Sequence, residues 1–143
     1  VYSMQDNLFH REVADYTVED ASATVIRFEA GAIAVIAATN GAIPNRWDYD
    51  WRIVLPGLTA DFADANHAVF HHTAQMPATS TPIESEKDLY LAETLDLIAA
   101  IREDRPTAVS IEEGVRSLQL ALTAMCSAEQ NAPIQVTPPS EAR

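Results

Sequence analysis

Three of the histidines lie close together in the sequence, at His67, His71 and His72. Neutral imidazole is a common metal ligand, so the spacing of these residues decides whether they could share an ion. The alternating Val and Phe residues between them predict a strand, on which His67 and His71 share a face but lie roughly 13 Å apart. His72 points to the opposite face. We therefore predict half-exposed strand histidines and no metal site.

Other pairs of reactive residues are no better placed for catalysis. Asp6 and His10 have the spacing of a pair on one helical face, but the residues around them show no helical period. Glu19 and Asp20 are adjacent at the start of a strand, so their side chains diverge and cannot act as a carboxylate dyad. The sequence contains no Gly-rich phosphate loop and no Gly-x-Ser-x-Gly motif. We predict no catalytic and no cofactor-binding residues in this chain.

One cluster of residues is suited to contact a ligand or a partner. Arg46, Trp47 and Tyr49 lie with Asp48 on a long loop, and binding residues are often carried on loops. We predict that Arg46, Trp47 and Tyr49 contact a substrate or partner. A plug over the edge of the sheet is the alternative. Lys87, the only lysine, is predicted to be a solvated residue.

Composition and charge limit the classes of partner. The chain has 143 residues, about one domain, with 48% hydrophobic residues and a formal net charge of −12. That negative field disfavours nucleic acid and anionic membrane surfaces. The sequence has no long apolar run and no signal peptide, so we expect a cytoplasmic protein. Cys126 is the only cysteine, which rules out an internal disulfide, and we predict that it is buried.

The first half of the chain has the period of strands and the second half that of helices. Short turns between the strands favour antiparallel neighbours. Around 73–82 the Ala, Thr, Ser and Pro residues predict a connector, and 134–136 could add a short strand. The predicted strands are Ala21–Glu29, Ala32–Thr39, Trp51–Leu55, Leu58–Asp64 and His67–Thr73.

Two capping boxes predict where the helices begin. Ser85 and Asp88 form the first, and Ser110 with Glu113 forms the second. Apolar residues then recur at helical spacing, and Pro133 ends the second helix. The apolar stripes are Leu91, Leu95, Ile98 and Ile101 in the first helix, and Val115, Leu118, Leu122 and Met125 in the second.

These elements predict an α+β fold, a predominantly antiparallel open β-sheet of about five or six strands with two long helices packed on one face. The strand 32–39 is apolar on both sides, which is typical of a sheet that is covered on both faces. Two helices cover only one face. We therefore predict that Ala32, Ala34 and Ile36 belong to an interface with another chain or domain.

Two stretches of the sequence resemble a known family. Val18–Ala32 is similar to the Glu-Asp-led strand and Phe-x-x-Gly-Ala turn in the C-terminal domain of the Gfo/Idh/MocA oxidoreductases. Residues 100–106, 109–114 and 127–129 resemble that family's closing pattern of a helix end, a capped helix and a Ser-Ala sequence. Ile53–Ala60 takes the place of the family's Gly-Thr-x-Gly turn, with Ala60 where the second glycine would stand.

The resemblance implies a function for the parent protein. Family members have an N-terminal Rossmann domain that binds NAD or NADP, and a catalytic lysine in a Glu-Lys-Pro motif that this chain lacks. Residues 1–137 would then be a single C-terminal domain, for substrate binding and oligomerisation, of a sugar, cyclitol or related polyol dehydrogenase, and 138–143 a frayed tail. The chain start at Val1 agrees with this. A stand-alone small-ligand-binding module and a protein–protein interaction domain are the alternatives.

Overall fold

The computed structural model describes residues 1–137, which form an α+β fold as the sequence predicts. The described residues divide into two compact units, one of residues 1–44 and 108–137, the other of residues 45–107. The elements in chain order are β1 (Tyr2–Asp6), β2 (Ala21–Arg27), β3 (Ile33–Thr39), β4 (Trp51–Leu55), β5 (Leu58–Phe62), β6 (His67–His72), β7 (Thr79–Glu84), α1 (Leu89–Glu103) and α2 (Ile111–Gln130).

The first unit is a three-stranded antiparallel sheet in the order β1-β2-β3. The turn from β2 to β3 passes through Gly31, whose φ of +93° lies in the region that glycine tolerates best. Helix α2 packs against β1, where the Ser3 backbone N–H donates to Ser127 Oγ at 3.0 Å. After the helix, the backbones of Val1 and Ile134 exchange two hydrogen bonds of 2.8 Å.

One face of this sheet packs against α2, and the other face is exposed. Ser3, Thr24 and Ile26 share the face toward α2 and are buried. The opposite side is apolar and exposed, and we call it the open face. Because paired residues of antiparallel strands share a side, the register defines its members. Its large aliphatic members are Met4, Val25, Ile33 and Val35, with exposed fractions of 62%, 44%, 70% and 72%, and Tyr2 and Arg27 lie on the same side.

The predicted interface residues lie on and beside β3. Ala34 and Ile36 are on the side of the sheet that carries Ile26 and Thr24, and Ala32 lies in the turn before the strand. Ile36 is 52% exposed because it is on the edge strand. Their contact with another chain or domain stays a prediction.

The second unit contains a four-stranded antiparallel sheet in the order β4-β5-β6-β7, followed by α1. Pro56 and Gly57 form the turn between β4 and β5, with Gly57 at a φ of +77°. Apolar residues of α1 are exposed, including Leu91 and Leu95 at 54% each and Ile101 at 74%.

Several local predictions need correction. Residues 1–137 contain seven strands in two sheets, not five or six in one, because β7 forms where Pro82 and the Ser/Thr residues suggested a connector. The N-cap of α1 is Asp88 and not Ser85. The N-cap position of α2 is Ser110 as predicted, but its side chain makes no capping hydrogen bond, so the predicted capping box with Glu113 is not observed. Residues 134–136 pair with Val1 without forming a regular strand.

Cys126 is exposed, so the prediction that it is buried was wrong. It lies one residue from the buried Ser127, on a side of α2 that this sheet does not cover. The predicted frayed tail at 138–143 lies outside the described residues. Among residues 1–137, neither helix has the length and hydropathy needed to cross a bilayer.

Candidate functional site

An open cleft of about 670 Å³ in the second unit contains all three residues that the sequence singled out as contacts. It lies among the loop before β4, the turn between β5 and β6, and the beginning of α1. A volume of this size accommodates a small molecule. The lining residues are Arg46, Trp47, Asp48, Tyr49, Ala63, Asp64, Ala65, Asn66, His67, Lys87, Asp88, Leu89 and Tyr90.

The turn between β5 and β6 forms one wall and is held by Asp64. Its Oδ1 accepts hydrogen bonds from the Asn66 backbone N–H at 2.7 Å and the His67 backbone N–H at 2.9 Å. His67 Nδ1 lies 2.8 Å from the same oxygen. The backbone hydrogen bond from Asn66 and then the His67 imidazole hold the pKa of Asp64 below its ordinary value. The carboxylate therefore holds the turn in place.

Asn66 joins this turn to the segment that leads into α1. Its backbone carbonyl accepts from the Ser85 N–H at 2.9 Å, and its Nδ2 donates to the Lys87 carbonyl at 3.2 Å. Asn66 Oδ1 is buried and has no hydrogen-bond partner within the described part of the chain. The N-terminus of α1 is capped by Asp88, whose Oδ1 accepts a hydrogen bond from the Leu91 backbone N–H at 2.9 Å. These bonds fix the position of Lys87 and of the first turn of α1 relative to the cleft wall.

Aromatic side chains line the cleft on the side of the loop and the helix. Trp47 is 89% exposed and Tyr90 is 86% exposed, which is unusual for such large rings. Tyr49 is anchored by stacking on Trp51, with ring centroids 5.9 Å apart. Trp51 in turn stacks on Phe62 at 4.9 Å. The loop therefore has a packed end at Tyr49 and a solvent-exposed end at Trp47.

Two cations lie in the cleft. Arg46 pairs with Asp48, Nη2 to Oδ1, at 3.2 Å. The Lys87 ammonium has no hydrogen-bond or ion-pair partner among residues 1–137, in agreement with its prediction as a solvated residue. The sequence pattern did not indicate that Lys87, Asn66 and Tyr90 lie in one cleft with Arg46. Both the Asp-Ala-Asn turn and the start of the first helix are recognisable in the sequence. That the two segments lie side by side depends on the pairing of β6 with β7, which the sequence pattern does not indicate.

The other strand histidines take part in a row of polar contacts across the sheet. His71 Nδ1 lies 2.8 Å from Ser80 Oγ on β7, and His71 Nε2 lies 3.2 Å from Asp61 Oδ2 on β5. The hydrogen bond from Arg52 holds the pKa of Asp61 below its ordinary value. His72 lies on the other face, 3.1 Å from Thr81 Oγ1. Among residues 1–137, no three His, Cys, Asp or Glu side chains are placed to hold a metal.

The acidic residues of the first unit have structural partners. Asp6 forms an ion pair with Arg11 at 2.9 Å and does not meet His10. His10 instead contacts Asp20, which is buried. Glu19 is exposed, so Glu19 and Asp20 do not form a dyad.

Comparison with known proteins identifies the family. The model of the oxidoreductase family C-terminal alpha/beta domain, Gfo/Idh/MocA, matches residues 1–136. The chain belongs to this family. It is the C-terminal domain of a Gfo/Idh/MocA oxidoreductase, as the sequence motifs predict. No match was found among curated protein sequences.

A solved structure shares the fold of this Gfo/Idh/MocA domain. The oxidoreductase domain protein from Kribbella flavida superposes with a TM-score of 0.79 at 19% sequence identity. The match covers 95% of this chain and 44% of that protein. The chain therefore spans less than half the length of the solved relative.

Proposed function

We propose that this chain forms the substrate-binding and oligomerisation domain of an NAD- or NADP-dependent dehydrogenase that acts on a sugar, cyclitol or related polyol in the cytoplasm. The parent enzyme carries a Rossmann domain N-terminal to this one. The observation that supports this most strongly is the family match over residues 1–136. In the parent, a hydride passes between a substrate carbon and the nicotinamide, and a lysine outside this chain assists the proton transfer.

The dinucleotide does not fit the residues of this chain. A phosphate-binding turn needs closely spaced glycines at the start of a helix. The four glycines here, Gly31, Gly41, Gly57 and Gly114, are far apart in the sequence. Gly31 and Gly57 serve β-turns, and Gly114 lies within α2. We therefore assign the cofactor to the Rossmann domain of the parent and the substrate to the cleft around Arg46, Trp47 and Tyr49.

The open face is the structural argument for the proposed oligomer. Met4, Val25, Ile33 and Val35 form an exposed apolar surface on a sheet whose other face is covered by α2. Contiguous exposed apolar surface marks interaction sites. In the proposed enzyme this face packs on a second copy of the domain.

Steady-state kinetics of the full-length parent enzyme test the proposed activity. We expect cofactor reduction with at least one compound from a panel of aldoses, cyclitols and linear polyols. Trp47→Ala removes an exposed ring from the cleft without disturbing the core, so it should raise KM by about threefold to tenfold. The matched control is Phe28→Ala, an exposed aromatic residue that follows β2 and lies outside the cleft.

Two results would contradict the proposal. One is an active parent enzyme whose KM for every substrate is unchanged by Trp47→Ala. The other is saturable binding of NADH by the 143-residue chain alone, detected by nicotinamide fluorescence. The second result would favour a stand-alone binding module.

A further inference from the structure

A serine, a histidine and a carboxylate follow one another in hydrogen-bonding contact on one side of the second sheet. Ser80 and His71 are opposite each other in the pairing of β7 with β6, and Ser80 Oγ lies 2.8 Å from His71 Nδ1. His71 Nε2 lies 3.2 Å from Asp61 Oδ2 on β5. None of the three lines the cleft that we assign to the substrate. We call these three residues the serine relay.

The proton positions of the serine relay suit a nucleophile. The hydrogen bond from Arg52 holds the pKa of Asp61 below its ordinary value, so this carboxylate is ionised and only accepts. The proton of neutral His71 therefore lies on Nε2, which leaves the lone pair of Nδ1 for the Ser80 hydroxyl. A hydroxyl that donates to a neutral imidazole becomes nucleophilic as the imidazole removes its proton.

The backbone N–H of Ser80 is directed away from β6. β7 is an outer strand of the sheet, and the Ser85 N–H bonds to the Asn66 carbonyl in register with the pairing of β7 with β6. In an antiparallel pair every second residue of an outer strand bonds to its neighbour, and the residues between them face outward. Ser80 is an odd number of positions from Ser85 and faces outward, as does Pro82, which has no N–H. The Ser80 N–H can therefore stabilise a negative oxygen that forms beside Oγ.

An open hollow of about 730 Å³ adjoins the serine relay within the second unit. Its lining includes Asp61 of the relay, and also Val69 and Pro82, which are opposite each other in the strand pairing. Each of these two apolar residues is two positions from a member of the relay on its own strand, on the same side of the sheet and roughly 7 Å away. The hollow can therefore hold a short acyl chain whose carbonyl lies at Ser80.

We infer that this domain is also a serine esterase for neutral esters of short carboxylic acids, with Ser80 as the nucleophile, His71 as the general base and Asp61 as the residue that positions His71. Ser80 Oγ attacks the carbonyl carbon of the ester, and its proton passes to His71 Nδ1. The bond to the alcohol oxygen breaks, the alcohol takes that proton and leaves, and the acyl group stays on Ser80. Water then attacks the acyl carbon and gives a proton to His71, which returns it to Ser80 as the acid leaves. No dinucleotide takes part in these steps.

Reaction of the 143-residue chain with p-nitrophenyl acetate tests the inference. We expect release of p-nitrophenolate and an acetyl group on Ser80, located by mass spectrometry of peptides from the acid-quenched chain. Ser80→Ala should remove this acetyl group. His71→Gln should slow acetylation of Ser80 by at least about tenfold, because general-base catalysis contributes more than that in most enzymes. Asp61→Asn should slow acetylation and also shift the His71 tautomer in nitrogen-15 spectra, an effect that a merely structural role would not produce.

His72 supplies the matched control. It lies on the same strand but on the other face, with Nε2 3.1 Å from Thr81 Oγ1 and without a carboxylate partner among residues 1–137. His72→Gln should therefore leave the acetylation rate of Ser80 unchanged. Ser80 is exposed, so Ser80→Ala should keep the fold and the site of acetylation can be tested even where His71→Gln unfolds the chain.

Three results would overturn the inference. They are the absence of acetyl on Ser80, an undiminished rate of acetylation in a folded His71→Gln variant, and an equal loss of rate in His71→Gln and His72→Gln. The proposed dehydrogenase would still stand after any of them, because the kinetics of the parent enzyme with a polyol test it separately.

Discussion

His10 Nδ1 lies 2.8 Å from the Oδ2 atom of Asp20, a carboxylate that is almost wholly buried at 2% exposed. The same carboxylate accepts backbone hydrogen bonds from Leu8 at 2.7 Å and Phe9 at 2.8 Å. Burial opposes ionisation, but the hydrogen bonds from Leu8, His10 and Phe9 outweigh it and lower the pKa of Asp20 to about 2. Asp20 therefore anchors the loop after β1 to the start of β2.

Asp20→Asn should destabilise the chain. Asparagine keeps one acceptor oxygen but loses the charge and the second oxygen, so backbone N–H groups of the loop lose a buried partner. We expect the Tm in thermal unfolding followed by circular dichroism to fall by roughly 5 to 10 °C. Glu19→Gln, the exposed neighbour, is the control and should leave the Tm unchanged.

The contribution of Asp20 should also depend on pH. Its folded pKa of about 2 lies below the ordinary value of 3.8, so the stabilisation is present above pH 4 and is lost as the pH falls towards 2. The Tm difference between the wild-type chain and Asp20→Asn should be constant from neutral pH to about pH 5 and then narrow. A difference that persists undiminished at pH 2 would contradict this assignment.

Ser127 links α2 to two other segments of the first unit. It is fully buried, its hydroxyl accepts from the Ser3 N–H at 3.0 Å, and it donates to the Ala132 carbonyl at 2.7 Å. Ser127→Ala leaves both groups unpaired and should reduce the free energy of unfolding in urea by about 1–3 kcal/mol. Ser117→Ala, exposed on the same helix, should change it by less than about 0.5 kcal/mol.

The sequence predicts most elements because their signals are local. The turn at Gly31, the turn at Gly57 and the beginning of α2 after Ser110 each depend on a few adjacent residues and are found where expected. Strand β7 was missed because Pro82 and the polar residues around it favour a loop, and only pairing with β6 makes it a strand.

Only one side of the cleft could be singled out from the sequence. Arg46, Trp47 and Tyr49 are neighbours in the sequence, so their composition alone made them candidate contacts, and their contact with a substrate or partner stays a prediction. Asn66 and Lys87 are separated by 21 positions and meet through strand pairing and a side-chain hydrogen bond. In the sequence, Asp20 stands out only as half of an acidic pair. Its role as the anchor of the loop after β1 depends on the path of that loop, which brings the backbone N–H groups of Leu8 and Phe9 to the carboxylate.

Two of the three histidines that lie beside carboxylates, His67 and His71, should adopt opposite tautomers. An ionised carboxylate only accepts, so the ring nitrogen that faces it must carry the proton. Asp64 faces His67 at Nδ1, whereas Asp61 faces His71 at Nε2. At a pH where both rings are neutral, we expect Nδ1–H for His67 and Nε2–H for His71 from nitrogen-15 chemical shifts.

Ser80 provides the control for the His71 tautomer. In the Nε2–H form, His71 Nδ1 accepts the proton of Ser80 Oγ at 2.8 Å. Ser80→Ala removes that donor but leaves Asp61, so the tautomer should persist. Asp61→Asn should shift His71 towards a mixture of forms and leave His67 unchanged. The same tautomer at both histidines in the wild-type chain would show that the carboxylates do not set the proton positions.

Charge placed on the open face should weaken association of the domain. Val35 is 72% exposed on the edge strand β3, where it is paired with Val25 of the same face, and packing it against a second copy would bury its side chain. Val35→Glu would then bury an unpaired carboxylate, which should raise the dimer Kd in sedimentation equilibrium by at least about tenfold. Ile111→Glu is the matched control, because Ile111 is 78% exposed at the start of α2, where a carboxylate is tolerated. Since Val35 has no cover within the described chain, its substitution should leave the Tm of the monomer nearly unchanged. A wild-type chain that remains monomeric at high concentration, or an equal effect of both substitutions, would show that this face is not the contact.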